Sequence, residues 1–179
     1  MRGLAVLVLG VGLVVFMALG QASAGSGLRA REPSWARVAP EQIAEARKHG
    51  VPVAFENALG MRFVLIPAGT FRMGCSPDDE ASGCREVERE VLPTRPFYLQ
   101  TTAVTNGQSR RLHADHRSGS HDAYDLDADD QPVVRVSWVD ADAFAAELSA
   151  YDESRDYALP TEAQWERACR AGTTTRFWF

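Results

Sequence analysis

The stretch Tyr157–Gly172, "YALPTEAQWERACRAG", constrains the fold of this chain more than any other. Thr161 and Gln164 stand three apart. The Thr hydroxyl can accept from the Gln164 backbone N–H while the Gln side chain reaches back, a capping box that fixes a helix start. Trp165, Ala168, Cys169 and Gly172 then fall on one face, and Gly172 stands where such a helix stops. The pattern predicts a short capped helix whose buried face carries Trp165 and Cys169. Glu162 and Glu166 lie four apart and have the spacing of a catalytic carboxylate pair. The reading taken here is the plainer one, a solvated face and an acidic first turn that suits the helix dipole.

A second helix is signalled by Ser137 with Asp140 three residues on, followed by Ala141, Phe144, Ala145 and Leu148 along one face. A third is expected in "APEQIAEARKHG", with Pro40 in its first turn and Gly50 at its end. Phe63–Ile66 reads as a buried strand, Pro67-Ala68-Gly69 as a turn, and Thr70–Met73 as a second, alternating strand. The aromatic and β-branched run "RPFYLQTTAVTN" gives a third strand. The class is α+β. With 179 residues, 45% of them hydrophobic, the chain suffices for one domain with a core, and nine Pro with fourteen Gly make it loop-rich.

The N-terminus carries Arg2, an uncharged apolar run from Gly3 to Gly20, and then Ala22-Ser23-Ala24. This reads as a signal peptide over residues 1–24, with an uncleaved anchor as the alternative. The expectation is export to the periplasm, the medium or the cell envelope, with no stable membrane association after cleavage. Residues 25–57 read as a linker with a short helix, and 58–179 as the domain. A net charge of −5 gives no support for nucleic acid as a partner.

An oxidising compartment gives the three cysteines a meaning. Cys75 and Cys84 bracket the polar loop "SPDDEASG", which suits a local disulfide; a metal pair would need further Cys or His ligands at short spacing. Cys169 is left over. The segment "RRLHADHRSGSHDAYDLDADDQ" holds His113, His116 and His121 among aspartates and reads as a solvated loop. Asp125, Asp127 and Asp129 imitate the start of a calcium loop, but Asp130 stands where that loop needs Gly and Val136 where it needs Glu.

Four pieces taken in order, "GMRFVLIPAGTFRMG", "AVTN", "QPVVRVSWVDADAFAAEL" and "YALPTEAQWERACRAGTTTRFWF", resemble the sulfatase-modifying factor family, the formylglycine-generating enzyme domain. The resemblance covers residues 60–179 and rests on motif residues that include Trp138, Pro160, Thr161, Glu162, Trp165 and Glu166. It implies an irregular α+β fold related to the C-type-lectin-like architecture, incomplete in this chain. The implied activity is oxidation of a cysteine in newly made sulfatases to Cα-formylglycine, with molecular oxygen and copper held by two active-site cysteines. A thiolate pair suits soft Cu(I). Calcium is structural in the family, and sulfatase polypeptides are the implied partners.

In that family the copper cysteines and calcium ligands follow the Trp-bearing helix. The resemblance therefore assigns no catalytic, cofactor-binding or metal residue here, and copper and calcium are expected only in a full-length member. Cys169 matches a family position whose disulfide partner lies further on. Ala103, Ser109, Leu112 and Ala158 depart from the family pattern, in part at packing positions. Three functions follow: the front section of a formylglycine-generating oxidase, inert alone; a non-catalytic, lectin-like ligand- or protein-binding module; or a relative of the ergothioneine sulfoxide synthases, which lacks the His-x-x-x-His-x-Glu set and the helical bundle that reading needs. The first also predicts that the Trp165 and Cys169 face lacks part of its packing partner.

Overall fold

The computed structural model describes residues 16–18, 32–75 and 87–174. The elements among these residues follow in this order: β1 (Phe16–Ala18), α1 (Pro40–His49), β2 (Ala54–Glu56), β3 (Arg62–Ile66), β4 (Phe71–Met73), β5 (Arg89–Val91), β6 (Phe97–Gln100), α2 (Asn106–Ser109), β7 (Ser120–His121), β8 (Tyr124–Asp125), α3 (Trp138–Tyr151), β9 (Tyr157–Ala158) and α4 (Glu162–Arg170). β2, β3, β6, β1 and β9 lie side by side in one antiparallel sheet, while β4–β5 and β7–β8 form separate two-stranded ribbons.

The helices start where the caps put them. Ser137 Oγ accepts the Asp140 N–H and Asp140 reaches back to the Ser137 N–H; Thr161 and Gln164 do the same for α4. α3 buries the expected stripe of Ala141, Phe144, Ala145 and Leu148. α1 carries Pro40 at its start and ends on Gly50 at φ 65°, a left-handed position that suits glycine. It docks through Gln42, whose Nε2 donates to the Leu65 carbonyl at 2.7 Å. Ala46 of α1 and Val53 and Ala54 at β2 belong to the same buried core as β3.

β3 departs from the expected buried run. Its side chains alternate: Phe63 and Leu65 are fully buried, whereas Val64 and Ile66 are only half-buried. The cause is the two-residue period of a strand, which sends neighbours to opposite faces. One face meets the core. There Phe55 stacks on Phe63 at 5.0 Å between centroids, Tyr98 meets Phe55 edge-on at 5.0 Å, and Tyr157 lies 5.6 Å from Phe63. The other face carries Val64, Ile66 and Leu99 and looks into a cleft.

α4 requires a larger correction. The stripe expected to be buried is not: Trp165 is half-buried, Cys169 is exposed, and no residue of α4 is buried. The helix stops at Arg170, with Ala171 left-handed at φ 48° and Gly172 following at φ 86°. The middle segment is also more ordered than a solvated loop. It contains the β7–β8 hairpin and is tied to α2 by buried polar groups.

Candidate functional site

The cleft between α4 and the outer face of the sheet lies where the motif segments "IPAGTFRMG" and "WERACR" meet. α4 buries nothing, so polar contacts hold it in place. Arg167 supplies one set. Its Nε donates to the Pro67 carbonyl at 2.9 Å, its Nη2 to Ala68 at 3.1 Å and its Nη1 to Thr70 at 3.4 Å. Burial pulls this guanidinium below its ordinary pKa, and its charge lies 6.0 Å from the Phe71 ring. Gly69, at φ 138°, allows the approach: a Cβ there would sit 3.1 Å from Arg167 Nη2.

Glu166 supplies the other set. Its Oε1 accepts the Gly74 N–H at 2.8 Å and the Arg170 Nε–H at 2.8 Å, while Arg170 also donates to the Gly74 carbonyl. The segment "IPAGTFRMG" and the segment "WERACR" are thus two halves of one latch. Glu166 is a structural carboxylate in this arrangement, and Glu162 stays in the first turn of α4 as an exposed acid.

The cleft has two lobes. One, of 780 Å³, is bounded by Gln42, Thr70, Phe71, Arg72 and Arg167; the other, of 700 Å³, by Trp35, Leu99, Trp165 and Cys169. Val64, Ile66, Ala168 and Ala171 border both. Arg167 and Arg170 are committed to backbone carbonyls and a carboxylate, so they offer no free anion cradle. Trp165 stands at the edge of open space, and the partner for its face is not supplied by the described residues. Pro160 is half-buried just ahead of the Thr161 cap, and Trp138 is 68% exposed at the start of α3, outside both lobes.

Among the described residues, the donor sets do not fit the metals that the resemblance implies. Cu(I) wants a thiolate pair, and Cys169 is the free cysteine among the described residues, with no cluster of three His, Cys, Asp or Glu around it. Cys84, the expected partner of Cys75, lies outside the described residues. The aspartates that imitate a calcium loop are spoken for. Asp127 accepts the Ser118 N–H at 2.7 Å and pairs with Arg110, which also bonds Asp129, while Asp125 Oδ1 accepts the Asp127 N–H. The Ser118 N–H above all holds the Asp127 carboxyl below the usual range; burial opposes it, and Arg110 adds a further lowering. His113 bonds Glu147, His116 bonds the Val134 carbonyl, and His121 lies 3.8 Å from Asp122. Three histidines in three places make no ligand set.

Sequence reading missed the polar hub beneath this loop. Asn106 is completely buried; its Nδ2 donates to the carbonyls of Leu126 at 2.8 Å and Ala128 at 2.9 Å, and its Oδ1 accepts Ser118 Oγ–H at 2.6 Å. That is the work of the Asn in "AVTN". The neighbouring Thr105 caps α2.

Tyr157 is a second anchor. Ser149 Oγ accepts its N–H at 2.8 Å and lies 3.2 Å from its carbonyl oxygen, and its hydroxyl donates to Asp152 Oδ2 at 2.7 Å. Burial would raise the Asp152 carboxyl, but bonds from Ser154, Tyr157 and Arg155 outweigh it and hold it below its ordinary 3.8. A depressed carboxyl stabilises the fold above the unfolded value, and that contribution fades as pH falls through the folded one. The melting temperature should therefore drop as pH falls below 3.8, and Asp152→Asn should make the acid limb shallower. Parallel acid limbs for the two proteins, followed by calorimetry, would remove Asp152 from the explanation.

The comparisons agree with this arrangement. Residues 48–179 match the sulfatase-modifying factor enzyme 1-like domain. A formylglycine-generating enzyme of Streptomyces coelicolor is 27% identical over an alignment covering 63% of this chain and 48% of that protein. The structure of PvdO from Pseudomonas aeruginosa superposes with a TM-score of 0.59 at 29% identity, covering 70% of this chain and 54% of PvdO. The chain spans about half the length of these relatives. The latched motifs, the lectin-like α+β arrangement and the match over residues 48–179 place this chain in the family of sulfatase-modifying factor enzyme 1-like domains.

Proposed function

We propose that this chain provides the front section of a formylglycine-generating scaffold, shaped to receive polypeptide and inert as an oxidase by itself. The observation that carries the reading is the Cys169 thiol, exposed at the mouth of a cleft with no second free thiol beside it among the described residues. The clients consistent with the family are sulfatase polypeptides. Copper and calcium belong to the full-length relatives in this reading. The test is incubation of the purified chain with a sulfatase-derived cysteine peptide, oxygen and Cu(I), followed by mass spectrometry. The peptide should keep its thiol, and conversion to the aldehyde would overturn the reading.

The open cleft favours a second reading, a non-catalytic binding module on the same scaffold. It predicts that the unmodified peptide is retained without reacting, which titration of its binding separates from plain inertness. We further propose export with removal of residues 1–24 and a disulfide between Cys75 and Cys84. Alkylation of the denatured, unreduced protein should then label one cysteine, and reduction should expose two more; three labels before reduction would rule the bridge out.

A further inference from the structure

Two marginal elements lean on each other at the end of β4. α4 buries no residue, and β4 and β5 are strands of three residues each, with Phe71 opposite Val91, Arg72 opposite Glu90 and Met73 opposite Arg89. A two-stranded ribbon that short is barely stable by itself in water. The ribbon and the helix meet at Gly74, the residue after β4. Its N–H donates to Glu166 Oε1 at 2.8 Å and its carbonyl accepts from Arg170 Nη2, so both of its polar groups hold α4. Gly74 also crowds the opposite arm of the ribbon: at φ 111°, a Cβ there would lie 3.0 Å from the Val87 carbonyl oxygen and 3.2 Å from Glu88 Cα. Position 74 is the neck of the ribbon and the seat of α4 at once.

The next residue, Cys75, is disulfide-bonded. We infer that this bridge is a redox-sensitive clamp on the cleft: oxidised, it keeps the neck of the β4–β5 ribbon closed and α4 seated on Gly74; reduced, it lets ribbon and helix loosen together. The inference rests on the pairing of Cys75 with Cys84 proposed above. The step is a two-electron exchange with a dithiol. One thiolate of the reductant attacks a sulfur of the bridge, and the other cysteine leaves as a thiolate and takes up a proton. The second thiol of the reductant then displaces the bonded cysteine from the mixed disulfide. Both cysteines end as thiols and the reductant as a cyclic disulfide.

The effect is local for a physical reason. A bridge lowers the chain entropy of the opened ribbon, so losing it shifts the ribbon toward opening. α4 follows, because Gly74 carries both bonds and Arg170 also feels the Glu88 carboxylate on the other arm of the neck. The core does not follow. The buried cluster that holds Phe63, Leu65 and Phe144 contains no residue of β4, β5 or α4. Trp165, Ala168 and Cys169 ride on α4 and line the cleft, so the covalent state of Cys75 decides whether that wall stands.

The experiment is amide exchange of the full chain before and after treatment with a dithiol, with alkylated cysteines counted by mass spectrometry alongside. Before reduction one cysteine should label. After it, the Gly74 amide and those of β4 and α4 should exchange about ten-fold or more faster, while Phe63, Leu65 and Phe144 keep their protection. Cys75→Ser with Cys84→Ser should reproduce the reduced pattern without the dithiol. Glu166→Ala with Arg170→Met cuts both ties to Gly74 and leaves the bridge; there, reduction should speed the ribbon and add nothing to α4. One label before reduction with α4 exchange unchanged afterwards leaves the bridge standing and overturns the clamp. Equal acceleration of the core overturns it too, since the bridge would then serve the whole domain. Three labels before reduction would remove the bridge itself, and the clamp with it.

Discussion

Asn106→Leu should destabilise the fold by about 2–3 kcal/mol, toward the upper end of the about 1–3 kcal/mol that one orphaned buried carbonyl costs. The substitution keeps size while removing the amide that bonds the Leu126 and Ala128 carbonyls in a fully buried position. Ser118 keeps a partner, since its Oγ also accepts the Val134 N–H at 3.0 Å, and the Ala128 carbonyl keeps the Gln131 N–H at 3.1 Å, so the loss concentrates on the Leu126 carbonyl. Against a total stability of about 5–15 kcal/mol this is a large fraction. With a urea slope of about 1–3 kcal/mol per molar, the midpoint should move by about 1 M. Thr105→Ala, which removes only the cap of the adjacent short helix, should cost about 1 kcal/mol. If the two variants unfold at the same urea concentration, Asn106 is no hub. The polar segment would then be held by Arg110 and its aspartates.

The hub was hard to see in sequence for a physical reason. Asn106 meets groups 12 to 22 residues away in a stretch with no helical or strand period, so no local pattern marks the contact. Helices are a different case, because capping is local. Ser137 with Asp140, and Thr161 with Gln164, state their partners within three residues, and the buried face of α3 follows from spacing alone. Strands of two or three residues, such as β2, β5 and β9, are too short to show alternation, and tertiary pairing alone defines them. β1 illustrates a further limit. An uncharged apolar run has the character of an export signal and of a strand alike, and the pairing of Phe16–Ala18 with β6 and β9 is visible only in the fold. The face of α4 failed for a related reason: helical spacing identifies which residues align but not whether anything lies against them. Trp165 and Cys169 do align, and the space beside them is open.

Arg167→Met tests whether α4 is held by its latch or by packing. A helix with no buried residue has little apolar burial to keep it in place, so the three carbonyls of Pro67, Ala68 and Thr70 should carry much of its docking. Hydrogen bonds to a charged donor contribute about 1.5–3 kcal/mol each at best, so losing the fork should raise local opening of α4 by about ten-fold or more. Methionine retains an unbranched stem of similar reach, which keeps the comparison on the guanidinium rather than on lost packing. Amide exchange should accelerate across Glu162–Arg170, while Phe63, Leu65 and Phe144 in the core keep their protection. Glu162→Gln provides the control, because that exposed acid takes no part in the latch, and its effect should stay within about 0.5 kcal/mol. Acceleration that spreads evenly through the core would mean that α4 is a full member of the cooperative unit. In that case the cleft beside Trp165 would be a groove in a closed domain rather than an open flank waiting for polypeptide.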